Sequence, residues 1–281
     1  MKPETKLGKD KEKARLIPSF MNTPPLIEYR NISVMRSGRI VLKDINISIE
    51  LGEHIAILGP NGSGKSSLIK TITRDLYPYI DKNNSHLRIL GKDRWNVFEL
   101  RSFLGIVSGD LLDNYARDIS GAEVILSGFF SSSRIWRYQH VELPMKKKVK
   151  EVLKLLEIEH LAERRLNQMS TGETRSVLIG RALVHEPEAL VLDEPTSSLD
   201  LRASSELHKV LRKIAAAGTS IIMITHHLQD IIPEIGRVIL IKNGIIVEDG
   251  VKEKVLTSAL LSRLFDIPAQ VVKRNGHYYL W

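Results

Sequence analysis

His54-Ile-Ala-Ile-Leu-Gly-Pro-Asn-Gly-Ser-Gly-Lys-Ser-Ser-Leu-Ile-Lys-Thr-Ile-Thr73 is the stretch on which the fold turns. It opens with an unbroken apolar run, which suits a strand buried on both faces of a sheet rather than one face in water. Glycines follow at once, and Lys65 to Thr73 then reads as a helix. Within it, Gly59 to Ser66 fits G-x-x-x-x-G-K-[ST]. Glycines let the backbone wrap closely and aim its N–H groups at a phosphate. The helix that starts there adds the positive end of its dipole. Gly59, Pro60, Asn61, Gly62, Ser63, Gly64, Lys65, Ser66 and Ser67 are therefore expected around a nucleoside triphosphate. Lys65 would reach the β- and γ-phosphates and Ser66 would ligate Mg²⁺.

Working outward, Ala189-Leu-Val-Leu-Asp-Glu-Pro195 is a second buried-strand candidate that delivers two carboxylates to its C-terminal end, where ligands gather in α/β sheets. Asp193 would hold Mg²⁺, and Glu194 would orient the attacking water or accept its proton. Ser220 to Thr225 is a third such strand, and Arg202 to Ala217 between them has helical spacing. Strand–helix–strand alternation predicts a mostly parallel sheet flanked by helices. Before it, Leu26 to Tyr29 and Ile40 to Ile49 predict an N-terminal antiparallel β part. Asn243-Gly244 and Asn275-Gly276 predict two hairpin turns, the second inside Gln270 to Trp281. From about Lys92 to Leu178 helical patterns dominate, with Val149, Val152, Leu153 and Leu156 on one face. This segment is read as a helical subdomain inserted into the α/β core. Ser131 to Arg137 forms a polar, aromatic-bearing loop within it. The expected division is a basic tail over 1–24, a main domain over 25–250 with the insert at about 92–178, and a helix-plus-hairpin extension over 251–281.

Bulk composition bounds the class. With 281 residues, 43% hydrophobic and 26% charged, the chain can bury a full core. It has no cysteine, which excludes a disulfide framework and thiolate metal sites. No apolar run is long enough to span a bilayer, and no signal-peptide pattern follows the charged start. The net charge is +8, part of it in the first residues, MKPETKLGKDKEKAR. That tail reads either as a solvated segment or as a contact for anionic lipid or nucleic acid. Met21 is an alternative translation start.

Four further motifs join the first two. Met169-Ser-Thr-Gly-Glu173 lies upstream of the Asp-Glu strand, Ser197-Ser-Leu-Asp200 follows it, Thr225-His226 ends a strand, and Leu104 to Asp110 leads into the helical segment. With the phosphate loop, Met169 to Glu173, the Asp-Glu strand and Thr225-His226 in this chain order, they resemble the ATP-binding-cassette (ABC) ATPase family over about Leu26 to Gly250. The resemblance implies a P-loop NTPase core, MgATP hydrolysis and a head-to-tail dimer. In that dimer Ser170, Gly172, Glu173 and Asp200 would face ATP held by the partner's P-loop. Ser170-x-x-Glu173 is also a helix-capping box, and a capped helix start can offer N–H groups to a phosphate. His226 would bond the γ-phosphate and couple it to Glu194, and Glu194, His226 and Lys65 form the implied catalytic set. His227 would face the opposite side if the strand persisted.

Two positions depart from the family pattern. Arg36 stands where an aromatic residue usually stacks on adenine, and a guanidinium plane can replace it. Gly109 stands where a glutamine usually links core and insert, leaving Asp110 or Ser108 as the nearby oxygen donors. Ile119 to Phe130, with this Ser-Gly, resembles molybdate-transport or photorepair-type cassettes. The functional expectation is an importer's ATPase subunit on the cytoplasmic face of a membrane, with separate transmembrane permease subunits. The alternative is a soluble, non-transport cassette acting on nucleic acid, the ribosome or a regulator. Nucleotide kinases and GTPases do not explain the Ser-Thr-Gly-Glu loop, and no Asn-Lys-x-Asp guanine motif occurs.

Overall fold

A computed structural model describes residues 23–79, 84–108, 118–133 and 135–281. Residues 1–22 of the basic tail, Met21 among them, and Gly109, Asp110 and Arg134 lie outside the described residues. In chain order the elements are β1 (Ile27–Arg36), β2 (Arg39–Ile49), β3 (Ile55–Leu58), α1 (Lys65–Ile72), β4 (His86–Ile89), α2 (Val97–Phe103) and β5 (Leu104–Val107). The helices α3 (Gly121–Ser127), α4 (Leu143–Leu156) and α5 (Thr171–Leu183) follow. The chain then returns to the sheet with β6 (Ala189–Asp193), α6 (Leu201–Ala216), β7 (Ser220–Thr225), β8 (Arg237–Lys242) and β9 (Ile245–Val251). It ends with α7 (Lys252–Val255), α8 (Ser258–Phe265), β10 (Val271–Arg274) and β11 (His277–Leu280).

The main sheet has six strands in the order β5-β6-β7-β3-β8-β9, parallel except for the antiparallel β8–β9 hairpin. Its apolar runs are explained by what lies on each face. Ala56 and Leu58 of β3, Leu190 and Leu192 of β6, and Ile221 and Met223 of β7 pack on the side of the helices α3 to α6. Their neighbours Ile55, Ile57, Val191, Ile222 and Ile224 pack on the other side, against α1 and the antiparallel sheet β2-β1-β4. Neither face meets water, so no polar alternation survives in these strands. Truncating one of these side chains leaves a cavity that the flanking layers cannot close. Ile222→Ala, at a fully buried position, is expected to lose about 3 kcal/mol, measured as a lower denaturant midpoint at unchanged slope.

Both Asn-Gly turns form as expected. Asn243 and Gly244 have φ 50 and 76, and Asn275 and Gly276 have φ 50 and 79, the left-handed pair of a two-residue hairpin. The structure revises one reading. The range 92–178 contains β5, which pairs in parallel with β6 at the edge of the main sheet, Leu104 opposite Ala189. Its four residues Leu-Gly-Ile-Val are too short for periodicity to separate strand from helix, and only pairing with β6 decides. The helical part packs as α3, α4 and α5, with Val149, Val152, Leu153 and Leu156 of α4 buried as predicted.

Candidate functional site

Three strand ends build the site. In the sheet Leu58 lies opposite Thr225, and Asp193 lies opposite Ile224. The residues that follow β3, β6 and β7 therefore emerge side by side. The loop after β3 is shaped by two glycines. Gly64, at φ 107, caps α1, and a Cβ there would stand 2.8 Å from Leu42 Cδ2 and 2.9 Å from the Val41 carbonyl oxygen. At Gly59 a Cβ would come within 2.2 Å of the Ile241 carbonyl oxygen. No other residue fits either place without moving backbone.

Lys65 is 5% exposed and folds back over its own loop. Its ammonium donates to the carbonyls of Gly59 at 2.7 Å and Pro60 at 3.0 Å, and lies 3.6 Å from Glu194 Oε1. Burial pulls this ammonium below the usual lysine range, and the Glu194 carboxylate opposes that shift. Glu194 follows β6 with φ 49, a left-handed conformation that a non-glycine residue holds only where its surroundings enforce it. Here its N–H donates to the Ile224 carbonyl at 2.8 Å. The turn sends the other carboxylate oxygen to His226 Nδ1, 2.7 Å away. One carboxylate thus joins Lys65 to His226. β7 ends at Thr225, so strand alternation does not separate the two histidines, and the rings of His226 and His227 lie 3.8 Å apart.

Ser66 and Asp193 line one cavity of about 530 Å³ between the core and the helical part, with Ser108, Ser131 to Ser133 and Arg181. A hydroxyl and a carboxylate are hard oxygen donors. Among the described residues no cluster of three or more His, Cys, Asp or Glu could hold a metal by itself. That donor set fits Mg²⁺, which keeps few protein ligands and completes its shell with phosphate and water. Arg36 is exposed at the end of the β1–β2 hairpin, directly opposite Arg39.

The remaining predicted residues form a second group. Ser170 caps α5 in a complete capping box, accepting from Glu173 N–H at 3.2 Å while Glu173 Oε2 accepts from Ser170 N–H at 2.7 Å. That backbone donor holds the Glu173 carboxyl below the usual range, and Arg164 pairs with it at 2.8 Å. Asp200 caps α6 by accepting from Ala203 N–H at 2.7 Å. A Cβ on Gly172 would stand 2.8 Å from Ala203 Cβ, so the starts of α5 and α6 pack closely. Among the described residues no hydrogen bond links Ser170, Gly172 or Asp200 to Lys65, Glu194 or His226. Sequence reading passed over Asp230, a buried acid that bonds both Thr196 and Thr225. A lone acid in a loop carries no spacing signal.

The model of the family described as ABC transporter matches residues 42–197. The chain is similar to an uncharacterized ABC transporter ATP-binding protein of Bacillus subtilis, 32% identical over 91% of this chain and 96% of the relative. It is 31% identical to the hemin import ATP-binding protein HmuV of Hahella chejuensis, over 86% of this chain and 93% of that one. Among solved structures it resembles cbiO1 of Clostridium perfringens, part of the ABC transporter complex cbiONQ, at TM-score 0.72 and 29% identity, covering 85% of this chain and 94% of cbiO1. It also resembles the cassette MJ0796, solved as a dimer bound to ADP and Pi, at TM-score 0.65 and 26% identity over 80% and 98% of the two chains. The matched stretch holds the phosphate loop, the capped Ser170 loop and the Asp193–Glu194 pair, and the residue after β7, His226, lies beside them: the chain belongs to the ABC transporter family, as an ATP-binding subunit and an ATPase.

Proposed function

We propose that this chain is the ATPase subunit of an importer, working as a head-to-tail homodimer on separate transmembrane subunits. The observation that carries the catalytic part is the carboxylate of Glu194, held 2.7 Å from His226 and 3.6 Å from Lys65 at the mouth of the phosphate loop. ATP phosphates would take Lys65 from the carbonyls of Gly59 and Pro60 and gather the N–H groups of the loop. Ser66 and Asp193 would hold Mg²⁺, which when bound offsets charge on the β- and γ-phosphate oxygens. Glu194 would orient water in line with the γ-phosphorus and take its proton as the new P–O bond forms and the β–γ bridge breaks, releasing ADP. His226 would bond the γ-phosphate and keep Glu194 aimed. Arg36 would stack on the base, and Asp110, which lies outside the described residues, would be a further oxygen donor for Mg²⁺.

The dimer is supported by the second group of residues. Ser170, Gly172 and Asp200 sit at capped helix starts, and among the described residues none of them is hydrogen-bonded to Lys65, Glu194 or His226 of their own chain. A helix start suits a phosphate, and that phosphate would belong to the partner's ATP. Glu173 would act there through Ser170, because its carboxylate is engaged with Ser170 and Arg164. That MJ0796 is solved as a dimer bound to ADP and Pi supports a working dimer. Hydrolysis is therefore expected to rise more steeply than in proportion to protein concentration at dilution. Strict proportionality from a chain that sediments as a monomer would overturn the shared site.

Import is supported by the hemin import relative, and assembly with other subunits by cbiO1 as part of an ABC transporter complex. Among the described residues no helix is long and apolar enough to cross a membrane. The spanning part would be supplied by separate subunits, in line with cbiO1 as part of a complex. The subunit would then lie on the cytoplasmic face, docked through its helical part. Glu194→Gln protein isolated with ATP should carry an integral membrane protein, and its isolation without one overturns the importer reading. The alternative of a non-transport cassette acting on nucleic acid, the ribosome or a regulator rested on the basic tail and Gly109. Both lie outside the described residues, and nothing in the site favours it.

A further inference from the structure

Asp230 is 2% exposed and belongs to none of the motifs described above. It closes a short 3-10 turn, Leu228–Asp230, directly beyond β7. Its two carboxylate oxygens reach two different segments: Oδ1 accepts from the Thr196 hydroxyl and Oδ2 from the Thr225 hydroxyl. Thr196 stands two residues after Glu194, and Thr225 stands immediately before His226. Thr225 is itself a junction. Its hydroxyl oxygen accepts from His227 N–H at 3.0 Å, and its carbonyl accepts from Gly59 N–H at 3.4 Å, where the phosphate loop begins.

A buried carboxylate raises the free energy of the fold unless strong partners compensate. Among the described residues Asp230 has no lysine or arginine partner. His208 on α6 approaches it, with Nε2 4.0 Å from Oδ1. Burial pulls His208 below the usual histidine range, and His277 of the C-terminal hairpin stacks over it with ring centroids 6.3 Å apart. Two hydroxyl donors therefore carry the compensation. A charged acceptor makes stronger and more directional bonds than a neutral one, which suits a group that fixes geometry. What it fixes is the pair of segments whose side chains meet at 2.7 Å on the other side, Glu194 and His226.

We propose that Asp230 is a positioning residue for ATP hydrolysis: a buried carboxylate clamp that ties the segment after Glu194 to the end of the strand before His226 and so sets their alignment. This rests on the roles assigned to Glu194 and His226 above. Asp230 acts through the hydroxyls of Thr196 and Thr225. Its effect should appear in the chemical step and not in ATP binding.

Steady-state hydrolysis and nucleotide binding by the full chain test this with Thr196→Val, Thr196→Ser, Asp230→Asn and Glu194→Gln. Thr196→Val keeps the side-chain shape and removes one of the two donors. It is expected to lower kcat about tenfold and to leave KM for ATP within about twofold. Thr196→Ser restores the hydroxyl and should restore kcat. Adding Thr196→Val to Asp230→Asn should lower kcat no further, because both act through one contact. If Asp230→Asn fails to fold, the two threonine variants still decide. An unchanged kcat in Thr196→Val overturns the clamp, as does a parallel loss of kcat and ATP affinity, or a loss that Thr196→Ser does not recover. The two levels of the argument separate in the control. Near-normal hydrolysis by Glu194→Gln sinks the catalytic assignment itself, whereas an inactive Glu194→Gln beside a fully active Thr196→Val sinks the clamp alone.

Discussion

Glu194→Gln is expected to bind MgATP and to hydrolyse it about 10²- to 10³-fold more slowly than the parent chain. The substitution is close to isosteric. Glutamine can still occupy the left-handed position after β6 and still meet His226 through its amide. It cannot take a proton from water. The change also removes a negative charge 3.6 Å from Lys65, at the mouth of the loop where the phosphates of ATP would arrive. Less repulsion of the γ-phosphate means that ATP affinity should hold or tighten while turnover falls. Phosphate release in single-turnover experiments, with nucleotide affinity measured separately, tells the two apart. A kcat within about threefold of the parent would remove Glu194 from the role of base.

Lys65→Ala is expected to lower ATP affinity by about 10²- to 10³-fold, the loss of a desolvated charge-assisted contact to phosphate. The magnitude follows from where the ammonium sits. At 5% exposure it has few waters to lose when phosphate replaces the carbonyls of Gly59 and Pro60. Alanine also leaves those two carbonyls without their shared donor, which should lower the stability of the nucleotide-free chain by about 1–3 kcal/mol. The clearest readout is thermal unfolding with and without MgATP. The parent chain should gain stability with ligand concentration, and the variant should show little gain at the same concentration. A parental shift in Lys65→Ala would mean that phosphate is held without this side chain.

How far the sequence could be read depended on whether a signal was local. Ser170 and Glu173 stand three apart, the spacing of a capping box, and the box formed. Both Asn-Gly pairs adopted the turn that their chemistry favours. Ser220 to Thr225 was legible because its centre, Ile221 to Ile224, is an unbroken apolar run buried on both faces. β5 was not legible in the same way. Leu104 to Val107 is short, and it became a strand through its pairing with β6. His227 could not be placed by alternation, because β7 stops at Thr225.

By itself, the sequence determined the parts whose physics acts over a few residues. A glycine-lined loop ahead of a helix can cradle phosphate wherever it occurs, and Asp193-Glu194 at the end of an apolar strand must emerge from a sheet edge. Together with the motifs at Met169 to Glu173, Ser197 to Asp200 and Thr225-His226, these were enough for the resemblance to the family, and the family model and the relatives show that membership. Only the tertiary structure decided which atoms meet. Asp193 and Ser66 share a cavity because β3 and β6 both flank β7 in the sheet. His226 meets Glu194 because the register sets Asp193 beside Ile224. Asp230 bonds Thr196 across 34 residues of chain, a contact that no local pattern encodes. The sheet order brings such distant groups together, and that order is set by which faces can be buried, a property of the whole chain.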